Sequence, residues 1–377
     1  MMSERGGMSR RSVLKMMAAA SAAGAATGSW PAGRGFAAAR LVVGAAYVGP
    51  KDDYGWNQGH AQGVAALKKI DGVKVVEEEN VPETIQVQKT MESMINLDGA
   101  TLIFATSFGY WDHMLKVAAK QPKVQFLHAG PTVWKEGMPT NAGSYNGYID
   151  EAQYIAGIVA GYSSKSGKLG FVGAKPYPAS LRNINSFTLG ARTVNPKATT
   201  QVIFTGDWVL PVKEAEAVNS LADQGIDVVT CHVDSPKVVI ETAERRGIHS
   251  SGYHVNQAVL APKGYLTGAE WNWEKVYTDY VNWFQEGKSW PHIRRGGLKE
   301  GIVRNAPYGR PVSEKARKQA DGAKAKFADG TFVIYKGPMK DNSGKTVIAA
   351  GKSYDRTDVW LESMNWLVEG VIGSTGS

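Results

Sequence analysis

The sequence predicts an α/β protein with two doubly wound, mainly parallel sheets. Short apolar runs rich in β-branched residues alternate with helical periodicities through most of the chain. This alternation runs twice, in two series of similar order and length. The predicted strands also end, one after another, in aromatic and amide residues, at the sheet edge where open α/β folds bind ligands.

The first strand is the apolar run over residues 41–48. A helix over 59–70 follows, with apolar residues at Val64, Leu67 and Ile70. The loop between them carries Tyr54 and Trp56 beside Asp52, Asp53, Asn57 and Gln58. Flat faces next to hydrogen-bonding groups suit a small planar polar ligand. The first series continues with strands over 73–76, 100–105, 124–128 and 141–145, and helices over 84–96 and 112–120.

A helix over 150–163 opens the second series. Its strands are expected over 168–173, 200–204, 228–231 and 250–253. Its helices fall over 180–193, which carries Asn183 and Asn185, and over 212–224 and 237–246. A strand over 266–269, a helix over 274–286, a Gly- and charge-rich crossover over 287–301 and a helix over 313–327 follow. A hairpin pairing 331–335 with 346–349, and a closing helix over 360–371, complete the reading.

Residues 1–39 read as a leader, not as fold. Ser9-Arg10-Arg11-Ser12-Val13-Leu14-Lys15 is a twin-arginine pattern. A small-residue apolar run over 16–26 follows, and Ala37-Ala38-Ala39 offers a cleavage site. The run is too short to span a bilayer. Without this segment the net charge falls from +8 to near +4, with no long basic run and so no nucleic-acid footprint. A lone cysteine, Cys231, excludes an internal disulfide, and no cysteine near the cleavage site could take a lipid. A soluble, unanchored periplasmic protein exported by the Tat pathway is expected.

Signatures of catalysis are missing. The chain lacks a G-x-S-x-G elbow, an H-E-x-x-H, a Walker loop and a G-x-G-x-x-G. His232 and Asp234 are two apart at a strand end, with no third metal ligand near in sequence. Neither cofactor nor metal is expected. The recurring pattern is instead Tyr54/Trp56, Phe108/Tyr110/Trp111, Trp208, His232/Asp234, His254/Asn256 and Trp271/Trp273 at strand ends. Two sheets whose carboxyl edges face one another would gather these residues into one cleft.

Several segments then resemble the BMP (basic membrane protein) family of ABC-transporter substrate-binding proteins. They are Gly55-Trp56-Asn57-Gln58, Thr106-Ser107-Phe108-Gly109-Tyr110, Tyr145-Asn146, Gly170-Phe171-Val172-Gly173 and Asn185-Ser186-Phe187 with Gly190-Ala191. Thr205-Gly206-Asp207-Trp208, Asp223-Gln224-Gly225-Ile226-Asp227-Val228-Val229 and Gly296-Gly297-Leu298-Lys299-Glu300-Gly301 continue the series. The resemblance implies a hinged, two-lobed binding protein of the type I periplasmic fold. It would bind a purine nucleoside or a purine base such as adenine, hand it to an ABC permease, and act as a monomer and not as an enzyme.

Carried over residue by residue, Trp56 and Trp208 flank the base with Phe108 nearby, and Ser107 lies in the same matching segment. Asn185 and Asp234 face the cleft from the second lobe. In Gly252-Tyr253-His254-Val255-Asn256-Gln257, His254 stands where nucleoside binders have Asp, and Glu270 or Trp271 stands where they have Lys. The expected ligand contacts are therefore Tyr54, Trp56, Asn57, Ser107, Phe108, Asn185, Trp208, Asp234, His254 and Glu270. The departures favour a free base or a planar ureide over a nucleoside. The expected lobes are 40–146 with 266–290 and 147–265 with 291–328, followed by 329–377 as hairpin and closing helix. The alternative is an exported hydrolase acting on a nucleoside or ureide-type amide, with Asp52, Asp53 or Asp234 activating water.

Overall fold

The computed structural model describes residues 41–131 and 134–375, so the twin-arginine segment lies outside the described residues. The first series builds β1 (Leu41–Ala46), α1 (Trp56–Leu67), β2 (Val73–Glu78), α2 (Ile85–Asn96), β3 (Leu102–Ala105), α3 (Trp111–Lys120), β4 (Gln125–Ala129) and β5 (Ala142–Gly147). The second builds α4 (Ile149–Ser163), β6 (Lys168–Gly173), α5 (Pro178–Val194), β7 (Thr199–Phe204), α6 (Pro211–Asp223), β8 (Val228–His232), α7 (Lys237–Arg246), β9 (His249–His254) and β10 (Tyr265–Trp271). Then come α8 (Trp273–Gln285), β11 (Ile293–Gly296), β12 (Val303–Asn305) and α9 (Glu314–Ala328). The short strands β13 (Tyr335–Lys336), β14 (Met339–Lys340), β15 (Thr346–Ile348), β16 (Ser353–Tyr354) and β17 (Val371–Ile372) end the chain.

Two sheets result, as the doubled βα rhythm requires. The first has the order β11-β5-β4-β3-β1-β2 and is parallel throughout. The second, β12-β10-β9-β8-β6-β7-β17, is parallel except for β12. In each the strand order reverses near the middle, and the loops after the strands at such a switch point form a binding crevice. Helix α4 is buried on almost every side, and the two acids of its first turn, Asp150 and Glu151, are paired with Arg182 and Arg356. It packs so tightly on α5 that a Cβ on Gly190 would stand 2.0 Å from the Tyr154 carbonyl oxygen.

The sheets correct the expected lobe boundaries in two places. The strand after residue 265 pairs with β9 in the second sheet, although 266–290 was expected in the first lobe. Strand β11, expected in the second lobe, pairs with β5 in the first sheet. The chain therefore crosses between sheets at 148, at 272 and over 297–302. Strand β10 is buried along its whole length, which suits a strand covered on both faces, while α8 packs on α1. A strand and the helix after it need not share a lobe when the turn between them is itself a crossover.

The last fifty residues also differ from expectation. Tyr335–Lys336 pairs with Ser353–Tyr354, and Met339–Lys340 with Thr346–Ile348, so two small ladders replace the one expected hairpin. No closing helix forms over 360–371; a 3-10 turn at Val359–Ser363 leads to an extended segment whose end, β17, lies beside β7. Leu361, Met364, Leu367 and Val368 are buried as their spacing suggested. Their backbone groups are claimed elsewhere, because the Asn185 amide accepts from the Val368 N–H and donates to the Trp366 carbonyl.

Candidate functional site between the sheets

The loop after β1 is built around Asp53. Its buried carboxylate accepts from the N–H groups of Gly55, Asn57 and Gln58 at 2.8, 3.1 and 2.9 Å, and from the Asn57 amide at 2.8 Å. These bonds satisfy the free donors at the start of α1 and fix where Trp56 projects. Burial raises the Asp53 pKa, while the same four bonds act in the opposite direction. Trp56 is half-buried and donates from Nε1 to the Thr106 carbonyl at 2.7 Å. Its ring stands edge-on to His60, His254, Trp271 and Trp273, at 4.5–6.3 Å between centroids.

Trp208 comes from the second sheet, in the loop after β7. Gly206 turns that loop at φ +101, and the Trp208 N–H is held by the Asp207 carboxylate. The half-buried Trp208 ring lies 5.9 Å from Tyr177 and 5.8 Å from His232. One residue connects the two tryptophans. The Asp234 N–H donates to the Trp208 carbonyl at 2.9 Å, and the Asp234 carbonyl accepts from the Trp56 N–H at 2.9 Å. The Asp234 carboxyl makes no hydrogen bond among the described residues. Burial, then the like charges of Asp53, Glu83, Asp207 and Glu214, pushes its pKa up to about 8.

Other expected contacts have partners of their own. Ser107 donates to Glu83, and Phe108 is 57% exposed at the mouth, its carbonyl facing His128. Tyr54 adopts a left-handed backbone at φ +52 and lies under the Lys237 ammonium. The Asn57 amide spans Asp53 and the Gly49 N–H and so shapes the loop. Asn185 points away from the cleft into the C-terminal segment; two residues along a helix lie about 200° apart, and Asn183 takes the cleft side. Asn183 donates to His232 Nδ1 at 2.9 Å and to the Tyr253 hydroxyl at 3.1 Å. Burial lowers the His232 pKa to about 3, so the ring stays neutral.

His254 and Glu270 also have partners within the protein. Trp271 Nε1 donates to His254 Nδ1 at 2.8 Å, and His254 Nε2 faces the Val233 carbonyl at 3.1 Å. Both ring nitrogens are thus used within the protein, and burial keeps the ring neutral. Glu270 is buried and bonded to Arg304 at 3.0 Å. Asn183 and Trp271 lie outside the set of expected contacts. The helical offset from Asn185 and the position of Trp271 at a strand end were the available signals.

This fold, two mainly parallel sheets whose post-strand loops meet at Trp56, Asp234 and Trp208, is the two-lobed type I periplasmic fold. A family profile described as "ABC transporter substrate-binding protein PnrA-like" (Bmp) matches residues 40–352. The chain is 36% identical over 341 residues to "Purine-binding protein BAB2_0673" of Brucella abortus, covering 90% of this chain and 95% of that one. It is 30% identical to "Putative ABC transporter glucose-binding protein TsgA13" of Haloferax volcanii, covering 88% and 80%. An ABC transporter solute-binding protein from Conexibacter woesei superposes with a TM-score of 0.67 at 21% identity, covering 78% and 97%. The chain belongs to the Bmp family of ABC transporter substrate-binding proteins.

Proposed function

We propose that this chain is the binding component of an ABC importer for a purine-like planar heterocycle, with adenine as the reference ligand. The observation that carries the reading is the meeting of Trp56 and Trp208 at one residue, Asp234, across the two lobes. The two rings make no direct contact with each other, and each rests on its own aromatic network. A planar ring between them would gain stacking on both faces. Asp234, protonated near neutrality, would donate to a ring nitrogen, and above its pKa it would accept from an exocyclic amine. Trp271 and His254 pack edge-on against Trp56, and this bulk beside it supports a free base over a nucleoside. Export to the periplasm through the segment 9–15, monomeric action and delivery to a membrane permease belong to the same reading. The Brucella relative named for purine binding supports it.

A calorimetric panel of adenine, adenosine, allantoin and glucose tests the ligand class, followed by product analysis of any compound that binds. Adenine is expected to bind most tightly and to be recovered unchanged. Tight binding of glucose with none of adenine would exclude the purine reading in favour of a sugar, and turnover of a bound compound would favour the hydrolase.

A further inference from the structure

We infer that the lobes are held shut by a backbone clasp between residues 53–56 and the loops after β8 and β9, and that Gly55 is the residue that permits it. This inference concerns the site assigned above and rests on that reading for its ligand only.

Three hydrogen bonds cross between the lobes at this point. Ser235 Oγ donates to the Asp53 carbonyl at 3.0 Å, Gln257 Nε2 donates to the Tyr54 carbonyl at 2.6 Å, and the Trp56 N–H donates to the Asp234 carbonyl at 2.9 Å. The Lys237 ammonium lies 5.6 Å from the centre of the Tyr54 ring. Every first-lobe atom in these bonds is a backbone atom, placed by the Asp53 carboxylate described above. On the first lobe the clasp is therefore a property of loop shape, and its Trp56–Asp234 bond forms only when the two backbones approach closely. Gly55 supplies that approach. A Cβ there would stand 1.9 Å from the Asp234 carbonyl oxygen and 2.8 Å from Pro236 Cδ. Its φ of −146 is not left-handed, and contact with the opposite lobe excludes a Cβ here.

The clasp also ties closure to the ligand site. Asp234 gives its carbonyl to the clasp and its N–H to Trp208, so bringing 53–56 onto this residue joins the loops that carry both tryptophans. Tyr54 at φ +52 and His254 at φ +76, on opposite sides of the junction, hold backbone conformations that non-glycine residues seldom adopt. Such conformations persist where surrounding contacts enforce them. The clasp stabilises the closed arrangement by itself, so part of the population closes without a ligand.

The test places one spin label on each lobe near the mouth, at Ile85→Cys and Val212→Cys, which are 56% and 71% exposed. The only native cysteine, Cys231, is buried and will not label. Pulsed dipolar spectroscopy of the ligand-free full-length mature protein should show a short-distance population. Ser235→Ala should lower the closed-to-open ratio about fivefold, the effect of one net hydrogen bond. Gly55→Ala should abolish the short-distance population while each lobe keeps its melting transition. An unchanged short-distance population in Gly55→Ala, or none in the parent, would overturn the clasp. The same samples are measured with adenine. If adenine leaves the parent distribution unmoved while the variants still differ, the purine reading fails and the clasp stands.

Discussion

Asp234 concentrates the chemistry of the cleft in one side chain. Its backbone bonds Trp56 and Trp208, and its carboxyl lies among Asp53, Glu83, Asp207 and Glu214 with a pKa near 8. With the lobes apart, water would return the group toward the ordinary carboxylate value of about 4. Closure then takes up a proton at any pH between the two values. Ligand binding should tighten as pH falls from about 8 and level off near 4. Asp234→Asn is neutral throughout, so its binding should lose this slope; calorimetry at several pH values checks it. A slope unchanged in the variant would assign the proton to another group. The sequence placed Asp234 at a strand end but could not give its pKa, which depends on carboxylates up to 181 positions away.

The strands and helices of both sheets were legible because each obeys its own local period: apolar runs of strand length and helical i, i+3, i+4 spacing. The C-terminal segment was not, although its apolar spacing was helical. The reason is Asn185, whose amide takes backbone groups that a helix would have used internally. Nothing local to residues 360–371 reveals a partner on α5. Asn185→Ala leaves the buried Val368 N–H and the Trp366 carbonyl without this partner, at about 1–3 kcal/mol for each unsatisfied group. Hydrogen exchange should show lost protection over 364–372, and the melting temperature should fall, with ligand affinity unchanged. Weakened affinity at unchanged stability would return Asn185 to the ligand site. The same logic explains the misplaced lobe boundary. Trp271 and Trp273 are helically and β-compatible neighbours, and only sheet pairing shows that the crossover lies between them.

At the scale of the molecule, loops from the two sheets meet at Trp56, Asp234 and Trp208, and one core holds residues of both lobes with Trp56, Trp271 and Trp273 among them. The strand-end aromatics were legible as a set. Their partners were not, because His254 and Trp271 meet across neighbouring strands. The account depends on Trp56 and Trp208 acting from opposite lobes on one planar ligand. Stacking of a base on an aromatic ring is worth about 1–3 kcal/mol by alanine substitution. Trp56 also packs against four rings, so Trp56→Ala should lose apo stability together with affinity. Trp208 has fewer such contacts, and its replacement isolates the ligand's share. The most direct measurement is calorimetric titration of Trp208→Ala with adenine beside a melting curve of the ligand-free protein. The account predicts affinity weaker by about ten- to a hundredfold at a nearly unchanged melting temperature. Wild-type affinity for adenine in Trp208→Ala would contradict it.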